Sequence, residues 1–283
     1  MSLRDIALKT EYRSLLDNVI SEFYVPVLKQ SVLYKRAVGF FSSSALLDLA
    51  SGISGLVEND GKIQLIASPR LSPEDVAAIN DGLRRRDEVI EEALLRELRT
   101  PNGKFEEARL NLLSNLIAAG RLDIKIAFLE TNNLIGMFHE KVGLMYDKED
   151  NIVAFTGSMN ESSNAFSVNY EAIDVYASWT QDEERVLSKQ AAFNAMWNDY
   201  EPSIHVVSFP KIEAEIIRRY RITDTVYTNI DVSKDLTDAS ENRVKEISVG
   251  PSIPDYVTMR PYQLEAIKSW ADNGYRGIFD MAT

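Results

Sequence analysis

The sequence predicts an α/β protein whose sheet is mostly buried. Apolar runs of strand length alternate with segments of helical period along the first two hundred residues. Cap and turn signals fall between them. The 283 residues, 45% hydrophobic and 26% charged, are enough for one large domain or two small ones and have the profile of a soluble globular protein.

Each element has its own signal. Apolar spacing at Leu15, Val19, Ile20 and Phe23 predicts a helix from about Ser14 to Gln30, interrupted by Pro26. Tyr34–Phe41 reads as a strand, and Ser42, Ser43 and Ser44 offer hydroxyl caps for a helix over Ala45–Leu56. Lys62–Ser68 is a second strand, bounded by Gly61 and Pro69. Ser72, Pro73, Glu74 and Asp75 form a helix start running to about Leu98, and a further helix, Phe105–Ala119, stops at Gly120. Asp123–Glu130, Gly136–Tyr146 and Ile152–Thr156 read as strands, the last two joined by the turn Asp147–Asn151. Tyr170–Trp179 is a fourth extended segment. Thr180 and Glu183 have capping-box spacing, opening a helix to about Tyr200 with Val186, Leu187, Phe193, Met196 and Trp197 on its apolar face. A helix around Ile212–Tyr220 precedes a polar stretch, Thr223–Lys245. The block Met259–Thr283 closes the chain.

Composition excludes several chemistries. Lysine and arginine number 31 against 43 acids, so the net charge of −12 disfavours indiscriminate coating of DNA or an anionic membrane but leaves room for a local cationic site. Cysteine is absent, which removes thiol catalysis, disulfides and cysteine-based zinc sites. The N-terminus lacks the apolar run of a signal peptide and no apolar stretch approaches the ~18 residues of a membrane span. A cytoplasmic protein without a membrane partner is the expectation. Histidine occurs twice, at His139 and His205.

His139 is the sharper of the two. On a strand, His139 and Lys141 project from the same face, a poor pair for a packed core because a buried lysine must be paired or desolvated. It is a good pair for a phosphate: the ammonium neutralises charge while the imidazole attacks or moves a proton. Downstream, Gly157, Ser158, Met159 and Asn160 follow a strand directly, supplying a hydroxyl, an amide and backbone N–H groups for phosphate oxygens. Glu171, on the next strand, is placed to accept a hydrogen bond from His139 and fix its tautomer. Singly, each has an ordinary reading: a satisfied histidine, a capped loop, a surface acid. Their order along one α/β sheet is what joins them.

Taken together, His139-x-Lys141, the acid Asp147, and Gly157-Ser158-x-Asn160 resemble the HKD motif of the phospholipase D superfamily, and Glu171 matches the family's further glutamate. Asp147 falls one residue late, and the gap from it to Gly157 is longer than the pattern by three residues, both at the Asp147–Asn151 turn. The resemblance covers roughly residues 30–200. It implies a phospholipase D-like mixed sheet flanked by helices, an α-β-α sandwich, with a short C-terminal arm. It further implies a phosphodiesterase that needs no cofactor, with catalytic residues His139, Lys141, Ser158, Asn160, Glu171 and Asp147, working through a phosphohistidine with a second histidine as acid. His205 has no lysine two residues on and is a poor second copy, so the resemblance implies a homodimer that brings two His139 together.

Met259–Ile267, with Arg260 and Gln263, resembles the entry to the first motor domain of superfamily 2 helicases, where such an Arg-Pro-x-Gln element reads adenine. Gly277–Thr283 resembles the strand before their phosphate loop, and the sequence stops ahead of that loop's glycines and lysine. ATP is therefore expected only in a longer chain; an amphipathic terminal helix is the plainer reading. The expected division is a nuclease domain over residues 1–205, a linker or helical arm over 206–250, and an incomplete motor over 251–283. Arg84, Arg85 and Arg86 read as a solvated helix face. Arg218, Arg219 and Arg221 around Tyr220 are either a phosphate-tracking element or a helix end, and Arg70 either a phosphate contact or a cap. The function expected is cleavage of DNA by the nuclease part of a restriction, defence or repair helicase. The alternatives are a lipid-acting phospholipase or phosphatidyl transferase, and a catalytically silent module for dimerisation or DNA targeting.

Overall fold

In the computed structural model, residues 2–39, 44–69, 85–97, 104–131, 134–136, 138–160, 169–202, 204–221, 265–266 and 268–270 are described. The chain divides into two compact units, Met1–Thr228 and Asn229–Thr283. In the second, residues 265–266 and 268–270 are helical. The helix start at Ser72–Asp75, Arg70, Arg84, and Arg260 with Gln263 lie outside the described residues.

One mixed sheet organises the first unit. Its strands are β1 (Glu11–Arg13), β2 (Leu33–Val38), β3 (Lys62–Ala67), β4 (Leu122–Thr131), β5 (Leu134–Gly136), β6 (Val142–Tyr146), β7 (Ile152–Gly157), β8 (Ala172–Ala177) and β9 (Ile204–Val207). The order is β1-β8-β7-β6-β2-β3-β4-β5, with β9 also on β4. β2, β3 and β4 are parallel; β6, β7, β8 and β1 continue antiparallel. This pairing collects the C-terminal ends of β2 and β7 and the N-terminal ends of β6 and β8 at one edge. The predicted α/β class with a mixed, helix-flanked sheet is the observed one.

Helices cover both faces, which is why β6 is buried along its whole length and does not alternate. The helices are α1 (Val25–Gln30), α2 (Ser44–Asp48), α3 (Ala50–Glu58), α4 (Arg86–Glu97), α5 (Lys104–Ala118), α6 (Glu183–Trp197) and α7 (Pro210–Tyr220). One core joins Tyr12, Phe23, Tyr24, Phe155 and Met145 to α3, α5 and α7 through Ile53, Leu116 and Ile216. The opposite core joins Leu144, Ala154 and Phe138 to Val186, Phe193 and Met196 of α6.

Tertiary pairing overrides several sequence expectations. No helix begins at Ser14. Glu11–Arg13 pairs with β8, Leu15 takes a left-handed φ of 68° with its side chain in solvent, and the helical path begins with a π-turn at Ile20–Tyr24. Pro26 sits in the first turn of α1, where it needs no N–H partner. Strands β1 and β9 carry no alternating signal of their own and exist because β8 and β4 offer open edges. The capping box at Thr180 does not form: α6 starts at Glu183 without a side-chain cap, and the Thr180 hydroxyl donates to Ala177 O at 2.8 Å. Leu187, expected inside, is exposed. Gly120 does close α5, with φ of 63°.

Candidate functional site

The expected strand Gly136–Tyr146 is broken. Leu134–Gly136 pairs with β4 and the next ladder begins at Val142, so His139, Glu140 and Lys141 lie in the connection entering β6. His139 and Lys141 therefore do not share a strand face. Lys141 is buried and folds back, its Nζ donating to His139 O at 3.1 Å, while His139 is exposed. The imidazole stands over the end of β2: a Cβ on Gly39 would meet His139 Cδ2 at 3.0 Å and Phe138 O at 3.3 Å. Only hydrogen at Gly39 leaves the ring where it is. Thr156 at the end of β7 donates its hydroxyl to Lys141 O at 3.0 Å, fixing the segment from the other side.

β7 then delivers the polar loop. Gly157 runs so close to β8 that a Cβ would collide with Ala172 O, which only glycine avoids. Ser158 N donates to Ala172 O at 3.0 Å and Ser158 Oγ accepts from Ala172 N at 3.2 Å. The hydroxyl keeps its one proton as a donor while accepting this bond. The Met159 side chain is fully buried and anchors the loop, and half-buried Asn160 follows it.

Glu171 is set by β1. Buried Ser14 accepts from Glu171 N at 2.8 Å and donates its hydroxyl to Asn169 O, while Ser14 N donates to Glu171 O at 2.9 Å. Asn169 Nδ2 reaches Glu171 Oε1 at 3.4 Å. Among the described residues no hydrogen bond joins Glu171 to the His139 ring, so the expected tautomer lock is not formed. The Glu171 charge acts on Lys141 instead. Burial lowers the Lys141 pKa, the like charge of Arg36 lowers it further, and Glu171 and Glu140 oppose both.

The structure thus brings His139, Lys141, Ser158, Asn160 and Glu171 to one sheet edge, and it does not bring Asp147 there. Asp147 follows the other end of β6, about 17 Å along the strand from Val142 at ~3.4 Å per residue. It is fully committed to a turn. Its oxygens accept from Ser2 Oγ at 2.7 Å, Leu3 N at 2.8 Å, Glu149 N at 2.9 Å and Asn151 N at 2.9 Å. Burial pushes its carboxyl up, but these hydrogen bonds outweigh it and hold the pKa below the ordinary value. The acid of the sequence pattern is here a staple between the N-terminus and the β6–β7 turn.

His205 is also structural in its surroundings. It lies on β9, its ring 5.6 Å from Phe128 and its Nδ1 4.0 Å from Asp199 Oδ1. Arg218 and Arg219 both pair with Glu215, Tyr220 is buried and Arg221 Nε donates to Asn115, which fits the helix-end reading of that cluster.

Sequence reasoning missed the residues that support the site: Arg36, Gly39, Ser14 and Thr156. None of them left a distinct signal: Arg36 stands beside a second charge, Lys35, in β2. No helix of the described residues is long and apolar enough to cross a membrane.

A family model described as cardiolipin synthase, phospholipase D-like domain matches residues 45–197, more than half of the chain. The chain belongs to the phospholipase D-like family. Members of this family are phosphodiester hydrolases and transferases, and the protein is an enzyme of that kind. No curated protein matches the chain. Among solved structures, NucT from Helicobacter pylori is 18% identical with a TM-score of 0.43, over 70% of this chain and 97% of NucT. Nuc, a phospholipase D family member from Salmonella typhimurium, is 12% identical with a TM-score of 0.38, over 70% of this chain and 98% of Nuc. Phosphatidylserine synthase of Haemophilus influenzae Rd KW20 is 12% identical with a TM-score of 0.38, over 81% of this chain and 44% of that enzyme.

Proposed function

We propose that this phospholipase D-like protein is a metal-independent nuclease that cleaves DNA phosphodiesters through a phosphohistidine on His139. The observation that carries the reading is the meeting of an exposed imidazole, a buried ammonium and the Ser158–Asn160 loop at one sheet edge, with Glu171 beside them. A neutral ring nitrogen of His139 attacks phosphorus as the bond to the leaving oxygen breaks. A protonated His139 from a second copy gives its proton to that oxygen. Water then attacks phosphorus, passes a proton to the second imidazole, and the P–N bond breaks to return neutral His139. Lys141 and the donors of Ser158 and Asn160 hold the nonbridging oxygens as charge develops on them. Asp147 has a structural part in this scheme.

In this reading residues 251–283, with Arg260 and Gln263, have the character of the entry to a helicase motor, and the protein works in the cytoplasm. The nuclease domain is then the first unit, Met1–Thr228, because the end of β9 and all of α7, expected in the arm over residues 206–250, pack into its sheet and core. The helicase-like block favours DNA over lipid, the substrate of the competing phosphatidyl-transfer reading.

The deciding experiment is cleavage of plasmid DNA in EDTA by the wild type and His139→Ala. Cleavage by the wild type and a loss of at least ~10³-fold in the variant are expected for a nucleophile. Equal cleavage by both proteins shows that the activity belongs elsewhere. Turnover of phosphatidylglycerol vesicles with no action on DNA favours the lipid reading.

A further inference from the structure

The segment that leads into β8 carries an aromatic ring that the site, as described so far, does not use. Tyr170 is 59% exposed and stands next to Glu171. Its chain neighbours on both sides are pinned: Ser14 donates its hydroxyl to Asn169 O and accepts from Glu171 N at 2.8 Å. Its own hydroxyl is pinned too, accepting from Arg13 Nη1 at 3.0 Å. The Arg13 charge is met by Glu11 at 2.7 Å, so the guanidinium works here as a clamp. Tyr170 stands two residues before Ala172, the partner of Ser158, which keeps the two Cα atoms within about 7 Å. The Ser158 loop is held from inside by Arg36, whose Nη2 donates to Met159 O at 2.6 Å. Leu15 and Leu16 follow Ser14 into solvent, so three of the five exposed large apolar side chains among the described residues gather at this edge.

We propose that Tyr170 is a stacking platform for an unpaired nucleobase next to the scissile phosphate, which makes nucleic acid with single or unwound strands the substrate of this edge. The inference rests on the nuclease reading and names its substrate class. An exposed ring fixed at its backbone and its hydroxyl has given up its freedom before a ligand arrives, so a flat partner meets it at little further cost in order. Every base has such a face, and in a duplex both of its faces are covered by neighbouring bases. Supercoiled plasmid offers unpaired bases where it is locally unwound. A lipid surface fits less well, because seating the ring in hydrocarbon draws the Arg13–Glu11 pair out of water. A stacked base leaves that pair hydrated.

The test is fluorescence anisotropy of a labelled thymidine oligomer and of an abasic oligomer of equal length, each titrated with the full chain. The chain carries His139→Ala so that the strands stay whole. A preference of about tenfold for the thymidine strand is expected, within the worth of a base on an aromatic ring. Tyr170→Phe keeps the ring and should hold that preference within about threefold, and Tyr170→Ala should remove it. A parent protein that binds neither strand, or both equally, overturns the proposal, and so does a preference that survives Tyr170→Ala. Should Tyr170→Ala fail to fold, Tyr170→Leu decides by the same criterion. Loss of binding to phosphatidylglycerol vesicles in Tyr170→Ala, with the thymidine preference unchanged, overturns the proposal in favour of a lipid surface. Cleavage of the thymidine oligomer by the wild type in EDTA is scored separately. A thymidine preference that depends on Tyr170, without cleavage, overturns the nuclease reading and leaves the stacking site standing. Cleavage without a base preference overturns the stacking site alone.

Discussion

Asp147 and Lys141 show how burial gives two charged residues different work. Both are nearly inaccessible, at 3% and 7% exposure. Asp147 is surrounded by donors from Ser2, Leu3, Glu149 and Asn151, so its charge is satisfied within the fold. Lys141 donates to the His139 carbonyl, and burial, its largest influence, lowers its pKa. The consequence for Asp147 is one of stability. Asp147→Ala should cost about 2–3 kcal/mol in urea unfolding, the loss expected for charged hydrogen bonds and unsatisfied donors, with the catalytic edge intact. Its folded pKa is depressed, so its contribution is present above the unfolded value of ~3.9 and disappears as pH falls through the lower folded value. Wild-type and Asp147→Asn stabilities should therefore converge on acidification. A gap that stays constant from pH 7 to pH 3 would contradict this account.

At the scale of elements, the site is a product of how β7 leaves the sheet. The β7–β8 ladder ends at Gly157 opposite Ile173, and Ser158 continues it through both its backbone and side chain to Ala172. Gly157→Ala forces these strands apart at that point. A fall in kcat/KM of ~10²-fold is expected, since displacing positioned donors by an ångström is costly, along with about 1–3 kcal/mol of stability for the overpacking. A variant with unaltered diester cleavage would separate the loop from the chemistry. The Gly-Ser-x-Asn segment was legible in the sequence as a phosphate loop after a strand. The break between Gly136 and Val142 was not, because Met137–Lys141 continues an extended pattern and nothing local says that the ladder stops. What stops it is β4, which claims Leu134–Gly136, and β2, which pairs only from Val142 onward.

At the scale of the molecule, two helix layers enclose a sheet whose proposed catalytic edge presents one exposed histidine. The proposed mechanism needs a proton donor for the leaving oxygen. His205 is held against Phe128 and Asp199 on β9, four positions along the sheet from β6. Under the proposed mechanism that donor comes from a second copy of the chain. Light scattering should give a dimer of about twice the 31.9 kDa chain, and mixing His139→Ala with wild type should lower activity more than dilution alone. A strictly monomeric protein with full activity contradicts the dimer. The net charge of −12 makes affinity for DNA a local matter. Binding is therefore expected to depend on Lys141 more than on surface lysines.

By itself the sequence determined the α/β class and most of its strands and helices. It also determined the residue types of the site, because apolar periodicity and a histidine, lysine, serine and asparagine in fixed order are local information. Only the tertiary structure decided which of them meet. Asp147 stood one residue off a family spacing and went to the opposite end of its strand. Ser14 and Arg36 matched no spacing and were carried to the site by the pairing of β1 with β8 and of β2 with β6. A strand's partners are chosen across a hundred or more residues of chain by burial and open edges, and no window of sequence contains that choice.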